Sequence, residues 1–365
     1  MGIRKISDVV VYANPEFYSS FPSVVCRSDG RLVLGFRRAP ERRLRAGGCV
    51  THADPNSWMM QVTSDDNGLS WSQLPTVMAV HPRAGNQDPC LMQLADGTLL
   101  ASTFSWELIG APETDTPVPD ARRMPMGWWM TNIGVSIVRS TDGGGTWEGP
   151  FTIDPIPDSE EAFPGIANRG ACRGRMAQLP DGSVLLPVYG SRRSGEPSRA
   201  YLYRSDDRGE TWRYVCDIAG DDTVHMHEPH LHLTPSGKLV CLIRTAEMEG
   251  YGAVCHSTDG GESFSEWRPT RVWGHPHTTA ATADGRVLVA YGYRREPFGI
   301  RCRLVDAELD ELDDAEEIVL RDDGGNSDIG YPWAVCMADD RILVAYYFNI
   351  DDGTRHIAGS IVQID

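Results

Sequence analysis

The sequence predicts an all-β fold, a six-bladed β-propeller of four-stranded antiparallel blades. Two interleaved repeats and a near absence of helical periodicity point to it. The first repeat, Ser-x-Asp-x-Gly-x-Thr/Ser-aromatic, occurs four times: Ser64–Trp71, Ser140–Trp147, Ser205–Trp212 and Ser257–Phe264. Its chemistry is that of a hairpin tip. Asp folds back on backbone amides, Gly supplies a positive φ, and the aromatic packs beneath the turn. The second repeat is a turn followed by an apolar strand. It occurs six times, at Asp29-Gly30, Asp96-Gly97, Asp181-Gly182, Ser236-Gly237, Asp284-Gly285 and Asp339-Asp340. Strand, turn, strand, strand and hairpin make one blade, so six turns predict six blades. The C-terminal run from Ile357 reads as a strand that closes the ring by pairing with the N-terminal one. The acidic stretch Asp306–Ile318 has no apolar stripe and is not read as a helix.

The whole chain, 1–365, reads as a single propeller domain. Its 365 residues suffice for one closed all-β fold, and 41% hydrophobic with 23% charged residues is ordinary for a soluble protein. No apolar run is long enough for a transmembrane helix. The first residues, Met1–Asp8, lack an apolar signal segment, so the expected compartment is the cytoplasm. A net charge of -17 argues against nucleic acid and anionic membranes as partners. Nine cysteines without CxxC spacing, several inside apolar runs (Cys26, Cys90, Cys241, Cys336), read as reduced buried thiols. The segment from about 106 to 132 is too long for a blade loop. With the prolines of 112–119 and with Trp128-Trp129 it reads either as a packed excursion or as a rim loop whose aromatics stack on a sugar.

Aligning the six turns on one another places a ring of residues eight positions before each: Phe21, Asp88, Arg173, Glu228, Pro276 and Tyr331. Side chains at this position converge on one mouth of the propeller. Asp, Arg, Glu and Tyr are not core-filling residues, so the ring marks a catalytic or binding centre.

The four hairpin motifs resemble the Asp boxes of the sialidase (neuraminidase) superfamily, and the resemblance runs over nearly the whole chain. It implies a sialidase-like propeller that cleaves a terminal sugar with retention of configuration. Sialidases carry a Glu-Pro step followed sixteen residues on by one arginine of a carboxylate-binding triad. Glu228-Pro229 and Arg244 keep that spacing. The sialidase nucleophile is a tyrosine at the ring position of the last blade, matched by Tyr331. The implied chemistry is attack by Tyr331 on the anomeric carbon, with Glu228 taking the phenol proton. The implied acid/base is an Asp on the loop after the first inner strands. Asp54, within Thr51–Ser57, matches it, and His52 stands close behind. Asp54-Pro55 also reads as a simple turn starter.

The pattern departs from the family at two of the triad arginines. Ser20 stands where the first belongs, in Ser20-Phe21-Pro22, and within Arg294–Arg303 Arg301 is the match for the third. Arg37, Arg38, Arg173 and Arg175 are the arginines able to take over the fork on a carboxylate. A salt-bridge or surface role is the alternative for each, least so for Arg173 with its ring position. The implied substrate is an anionic sugar, sialic or a related acid, at a glycan end. No cofactor is required, and the oligomeric state is not legible.

Histidines crowd the same place. His225, His227, His230 and His232 flank Glu228, and His275 and His277 occupy the matching stretch of the next blade. Alternation puts His225 and His227 on one face and His230 and His232 on another. The spacing matches no zinc motif, so no metal site is assigned. Sugar hydroxyl binding or acid/base work is the other use of these side chains. Beside the glycosidase, a non-catalytic carbohydrate-binding propeller, a glycan lyase or hydrolase using the histidines, and a protein-interaction propeller stay open on the residues alone.

Overall fold

A computed structural model of the protein describes residues 2–44, 48–110 and 121–365. Six antiparallel sheets follow one another around an axis, as the repeats predict. The first blade is built from Phe17–Cys26, Leu32–Pro40, Trp58–Ser64 and Thr76–Ala79, counted from the axis outward. The sixth is Gly330–Cys336, Ile342–Phe348 and His356–Ile364, completed on the outside by the N-terminal strand Ile3–Tyr12. That last pairing runs from Ile3 opposite Ile364 to Tyr12 opposite Ile357 and closes the ring. Closure removes the unpaired sheet edges an open array would expose. The second blade carries an extra short strand, Arg122–Arg123, against Trp129–Ser140. Among the described residues the helical content is one 3-10 turn at Arg42–Leu44, and no helix is long and apolar enough to cross a membrane.

The six turns of the second repeat join the first and second strands of each blade, and the four Ser-x-Asp-x-Gly motifs join the third and fourth. In the third blade Asp207 accepts from the Thr211 amide at 2.9 Å and hydroxyl at 2.5 Å, while Ser205 Oγ accepts from the Gly209 amide at 2.8 Å. The other three copies repeat these bonds. The core is divided into six apolar clusters, one for each interface between neighbouring blades. Each hairpin aromatic packs on the cluster shared with the preceding blade: Trp71, Trp147, Trp212 and Phe264. Local turn chemistry and inter-blade packing are thereby one device. Gly209 sits at φ +88°, and a Cβ there would meet Leu100 at 2.9 Å. Gly209→Ala is expected to cost about 1–2 kcal/mol, seen as a lower urea midpoint with unchanged m.

The ring residues lie on the innermost strands, and the backbone there is unusual. Phe21, Asp88, Glu228 and Tyr331 have φ of 55°, 36°, 48° and 51°, and each is followed by proline. At each of them the pairing with the second strand slips, between Ser20 and Ser23, Gln87 and Cys90, His227 and His230, and Gly330 and Trp333. These are bulges, which bend a strand and re-aim one side chain. A non-glycine residue held at positive φ costs roughly 1–3 kcal/mol, and the same strain recurs in four blades. It turns four side chains toward one mouth.

Candidate active site

The turned residues face a cavity of about 750 Å³ at one end of the axis. On its floor the Tyr331 hydroxyl donates a short hydrogen bond to Glu228. Arg244 Nη1 reaches both Glu228 oxygens at 3.1 Å and the Tyr331 oxygen at 3.2 Å. Glu228 is on the bulge of the fourth blade and Arg244 on the strand beside it, with Arg244 opposite His227. The sixteen-residue spacing therefore spans one hairpin and returns to the same level. Burial raises the Glu228 pKa, but Arg244, the Tyr331 hydroxyl and the neighbouring His275 outweigh it and hold the group at about 2. Burial, then the charge of Glu228, pushes the Tyr331 phenol well above its ordinary value. At neutral pH the proton therefore rests on Tyr331, beside an ionised acceptor. The phenol becomes a strong nucleophile only as that proton moves to Glu228.

Asp88, from the second blade, lines the same cavity, and its Oδ1 has no hydrogen-bond partner among the described residues. Burial, and the nearby charge of Glu228, push its pKa well up, with Arg173 opposing them. A protonated Asp88 presents an O–H donor to a ligand. In the folded state the group keeps a proton that the unfolded chain, with an ordinary value of 3.8, gives up. Stability therefore falls as pH rises from that value through the folded one. Asp88→Asn removes this titration and is expected to raise the melting temperature at pH 7.

His227 and His225 form one wall. His227 is near Ser198 Oγ at 3.3 Å and against Tyr189, with ring centroids 5.4 Å apart. Burial lowers its pKa to about 4, so it stands neutral at the wall. His275, half-buried, and His277, buried, stand outside the cavity lining, their pKa values lowered to about 2 and about 4, first of all by desolvation. His230 and His232 point the other way, as alternation predicts, and both meet Thr279 Oγ1, at 3.0 and 2.9 Å. Among the described residues no group of three or more His, Cys, Asp or Glu side chains is placed to hold a metal ion.

The arginines are where sequence and structure part. Arg244 lines the cavity; Arg173, Arg37, Arg38 and Arg301 do not. Arg173 crosses the axis and donates to the carbonyls of Pro22 at 3.0 Å and Tyr331 at 2.8 Å, tying the third blade to the first and sixth. Around Arg173 the innermost strand of the third blade is interrupted, with Ala171 opposite Tyr189 and the ladder resuming at Ala177 opposite Leu185, and Arg173 lacks the positive φ that turns the other four side chains toward the mouth. Arg301 stacks on Tyr293 at 4.4 Å and bonds to backbone carbonyls of its own blade. Arg294, seven residues earlier, is the arginine of this blade beside Tyr331. It lies 5.1 Å from the Tyr331 ring centre and donates to Tyr347 Oη at 2.9 Å. Arg38 stacks on Phe17 at 4.3 Å. Arg37 is fully buried behind Phe21, and none of its guanidinium nitrogens has a hydrogen-bond partner among the described residues.

Asp54 is also misplaced by the sequence reading. Its side chain is fully buried, clamped by Arg42 at 2.7 and 2.8 Å, and accepts from the Asn56 amide at 2.9 Å. The turn-starter role is the one it fills. His52, two residues earlier, lines the cavity.

Other cavity residues were not singled out from sequence: Tyr189, Phe104, Gln87, Asn132 and Asn168. A signal for the first two was present. Eight residues after the six turns stand Arg37, Phe104, Tyr189, Arg244, Gly292 and Tyr347, a second ring on the second strands. The long segment contributes Trp106, Arg122, Met124 and Pro125 to the rim, with Arg122 stacked 5.3 Å from the Trp106 ring centre. Trp128 instead stacks on Arg42, and the proline run at 112–119 lies outside the described residues.

Comparison with known proteins agrees with this architecture. Residues 121–344, more than half of the chain, match the BNR repeat-like domain. The chain is 28% identical over 256 residues to a sialidase of Micromonospora viridifaciens, a stretch of 67% of this chain and 35% of that protein, so it spans about a third of that relative's length. A solved protein of unknown function from Dyadobacter fermentans superposes over 100% of both chains with a TM-score of 0.94 and 39% identity. The NanB sialidase of Streptococcus pneumoniae superposes with a TM-score of 0.70 at 12% identity, over 97% of this chain and 70% of that one. The chain belongs to the BNR repeat-like family and has the six-bladed propeller of the sialidase-like superfamily.

Proposed function

We propose that this protein is a retaining exo-glycoside hydrolase that removes an acidic sugar, sialic or a related acid, from a glycan end. The observation that carries the reading is the Tyr331–Glu228–Arg244 cluster on the cavity floor. Tyr331 attacks the anomeric carbon while Glu228 accepts its proton, giving a glycosyl-tyrosine that water then opens. A phenol suits an anionic substrate, because a neutral nucleophile approaches a carboxylate-bearing carbon without the repulsion a carboxylate nucleophile meets. Arg244 offers the charge that receives the substrate's acid group, and the Asp88 carboxyl a donor for a hydroxyl. Asn132, Asn168 and Ser198 add uncharged partners around the wall.

The test is hydrolysis of 4-methylumbelliferyl N-acetylneuraminic acid beside a panel of uronides and neutral glycosides, with the product anomer followed by NMR. Release from the sialoside or a uronide with retention supports the reading. Turnover of neutral glycosides alone shifts the substrate class, an outcome favoured by one observation: a single arginine of the expected clamp reaches the cavity. Silence on the whole panel, with sugars still bound, supports the carbohydrate-binding propeller.

A further inference from the structure

We propose that the proton donor to the leaving-group oxygen, and the base that later activates water, is His52, held in position by Asp328. The inference rests on the glycosidase reading above and deepens it.

Retaining hydrolysis needs a second proton-transfer group besides the nucleophile's base. Asp54 is excluded by geometry, since both its oxygens are held by Arg42 away from the cavity. Glu228 is committed to Tyr331 and Arg244. His225 and His227 also line the cavity, but His225 has Nδ1 accepting from the Ser198 amide at 3.0 Å and Nε2 3.8 Å from Glu247, and His227 has Nε2 turned to Ser198 Oγ at 3.3 Å. His52 differs. Its side chain is 46% exposed and borders the cavity, and Nε2 lies 2.9 Å from Asp328 Oδ1. Nδ1 has no partner among the described residues. The backbone is fixed too, since Gln87 Nε2 donates to the His52 carbonyl at 2.5 Å.

The placement relative to the nucleophile is set by Phe21. The His52 ring stands edge-on to Phe21 at 5.5 Å, and the Tyr331 ring packs on the same Phe21 at 4.6 Å. Donor and nucleophile thus flank one phenyl ring, with the cavity above it. Asp328 is a positioning residue three places before Tyr331. Its Oδ1 also accepts from Tyr18 at 2.8 Å and Tyr347 at 3.0 Å, and its Oδ2 from Arg355 at 2.8 Å. A carboxylate fixed by so many donors holds the imidazole in one orientation, with Nε2 toward Asp328 and Nδ1 free for the substrate.

The steps balance. As the Tyr331 oxygen bonds to the anomeric carbon, the phenol proton passes to Glu228. The bond to the leaving oxygen breaks, and that oxygen takes the Nδ1 proton of His52. Water then attacks the same carbon and gives a proton to Nδ1, and the sugar–tyrosine bond breaks. The phenolate recovers its proton from Glu228, leaving the protein unchanged and one water consumed.

The test compares 4-methylumbelliferyl and methyl glycosides of the sugar selected by the panel, beginning with N-acetylneuraminic acid. His52→Gln keeps an N–H for Asp328 but cannot transfer a proton, and His52→Ala removes both. For both variants kcat/KM on the methyl glycoside is expected to fall about 10²- to 10⁴-fold, with a far smaller loss on the aryl glycoside, whose leaving group needs no protonation. Azide, a nucleophile needing no base, is expected to restore turnover of the aryl glycoside and yield a glycosyl azide. Equal losses on both glycosides with no azide product overturn the assignment while leaving the glycosidase standing. Silence of the native protein on every glycoside overturns both.

Discussion

Tyr331→Phe is expected to abolish turnover of every glycoside the native protein cleaves while leaving sugar binding in place. The loss is expected to be on the order of 10⁴-fold or more in kcat, the scale seen when a catalytic nucleophile is removed. The substitution deletes one oxygen. The ring stays packed on Phe21, and Arg173, which donates to the Tyr331 carbonyl, is untouched. Glu228 retains Arg244 as its counter-ion. The fold and the cavity therefore persist, and calorimetric binding of the product sugar is expected to stay within a few-fold of native. A matching positive result is available. A fluorosugar that slows the second step is expected to label native protein on the peptide carrying Tyr331, with no label on the variant. Labelling of another residue would move the nucleophile. Unchanged turnover by Tyr331→Phe would remove Tyr331 as the nucleophile.

The fold was legible because its signals are local. Each Ser-x-Asp-x-Gly turn makes its bonds within a few residues, and repetition sets the blade count. Half of the site was legible for the same reason. Tyr331, Glu228 and Asp88 recur at one offset from a turn, and Arg244 is reached by crossing one hairpin. The remainder depends on where side chains point once the backbone is bent. Arg173 has the right position in the ring, yet without the positive φ of its counterparts it runs across the axis to the Tyr331 and Pro22 carbonyls. Arg301 and Arg294 are seven residues apart in one blade, and it is Arg294, just past the end of the Val287–Tyr293 strand, that meets Tyr331, while Arg301 sits on the next strand opposite Tyr291. Asp54 and His52 are two residues apart on an irregular loop. Arg42, whose pairing with Asp54 turns that carboxylate inward, is twelve residues from it, and no periodicity announces the contact.

The other large effect concerns Glu228 and couples stability to function through one ion pair. Glu228→Gln keeps the shape but leaves the Arg244 guanidinium without its counter-charge in a mostly buried position. Removing one member of such a pair typically costs about 3–5 kcal/mol. The pH dependence identifies the source. Glu228 has a folded pKa of about 2 against an ordinary 4.5. A carboxylate with a depressed pKa adds stability that is complete above the unfolded value and is lost as pH falls through the folded one, here about 3 kcal/mol in all. The gap between native and variant is thus expected to be full at pH 7 and to close between about pH 4.5 and pH 2, measured as urea midpoints. Asp88 works with the opposite sign above its own unfolded value, so the two carboxyls on one floor are separable by titration. A gap that stayed constant across the acid range would mean that Glu228 is not the ionised partner of Arg244. As a neutral carboxyl it would be too weak a base to take the Tyr331 proton, and the proposed nucleophile would have no base.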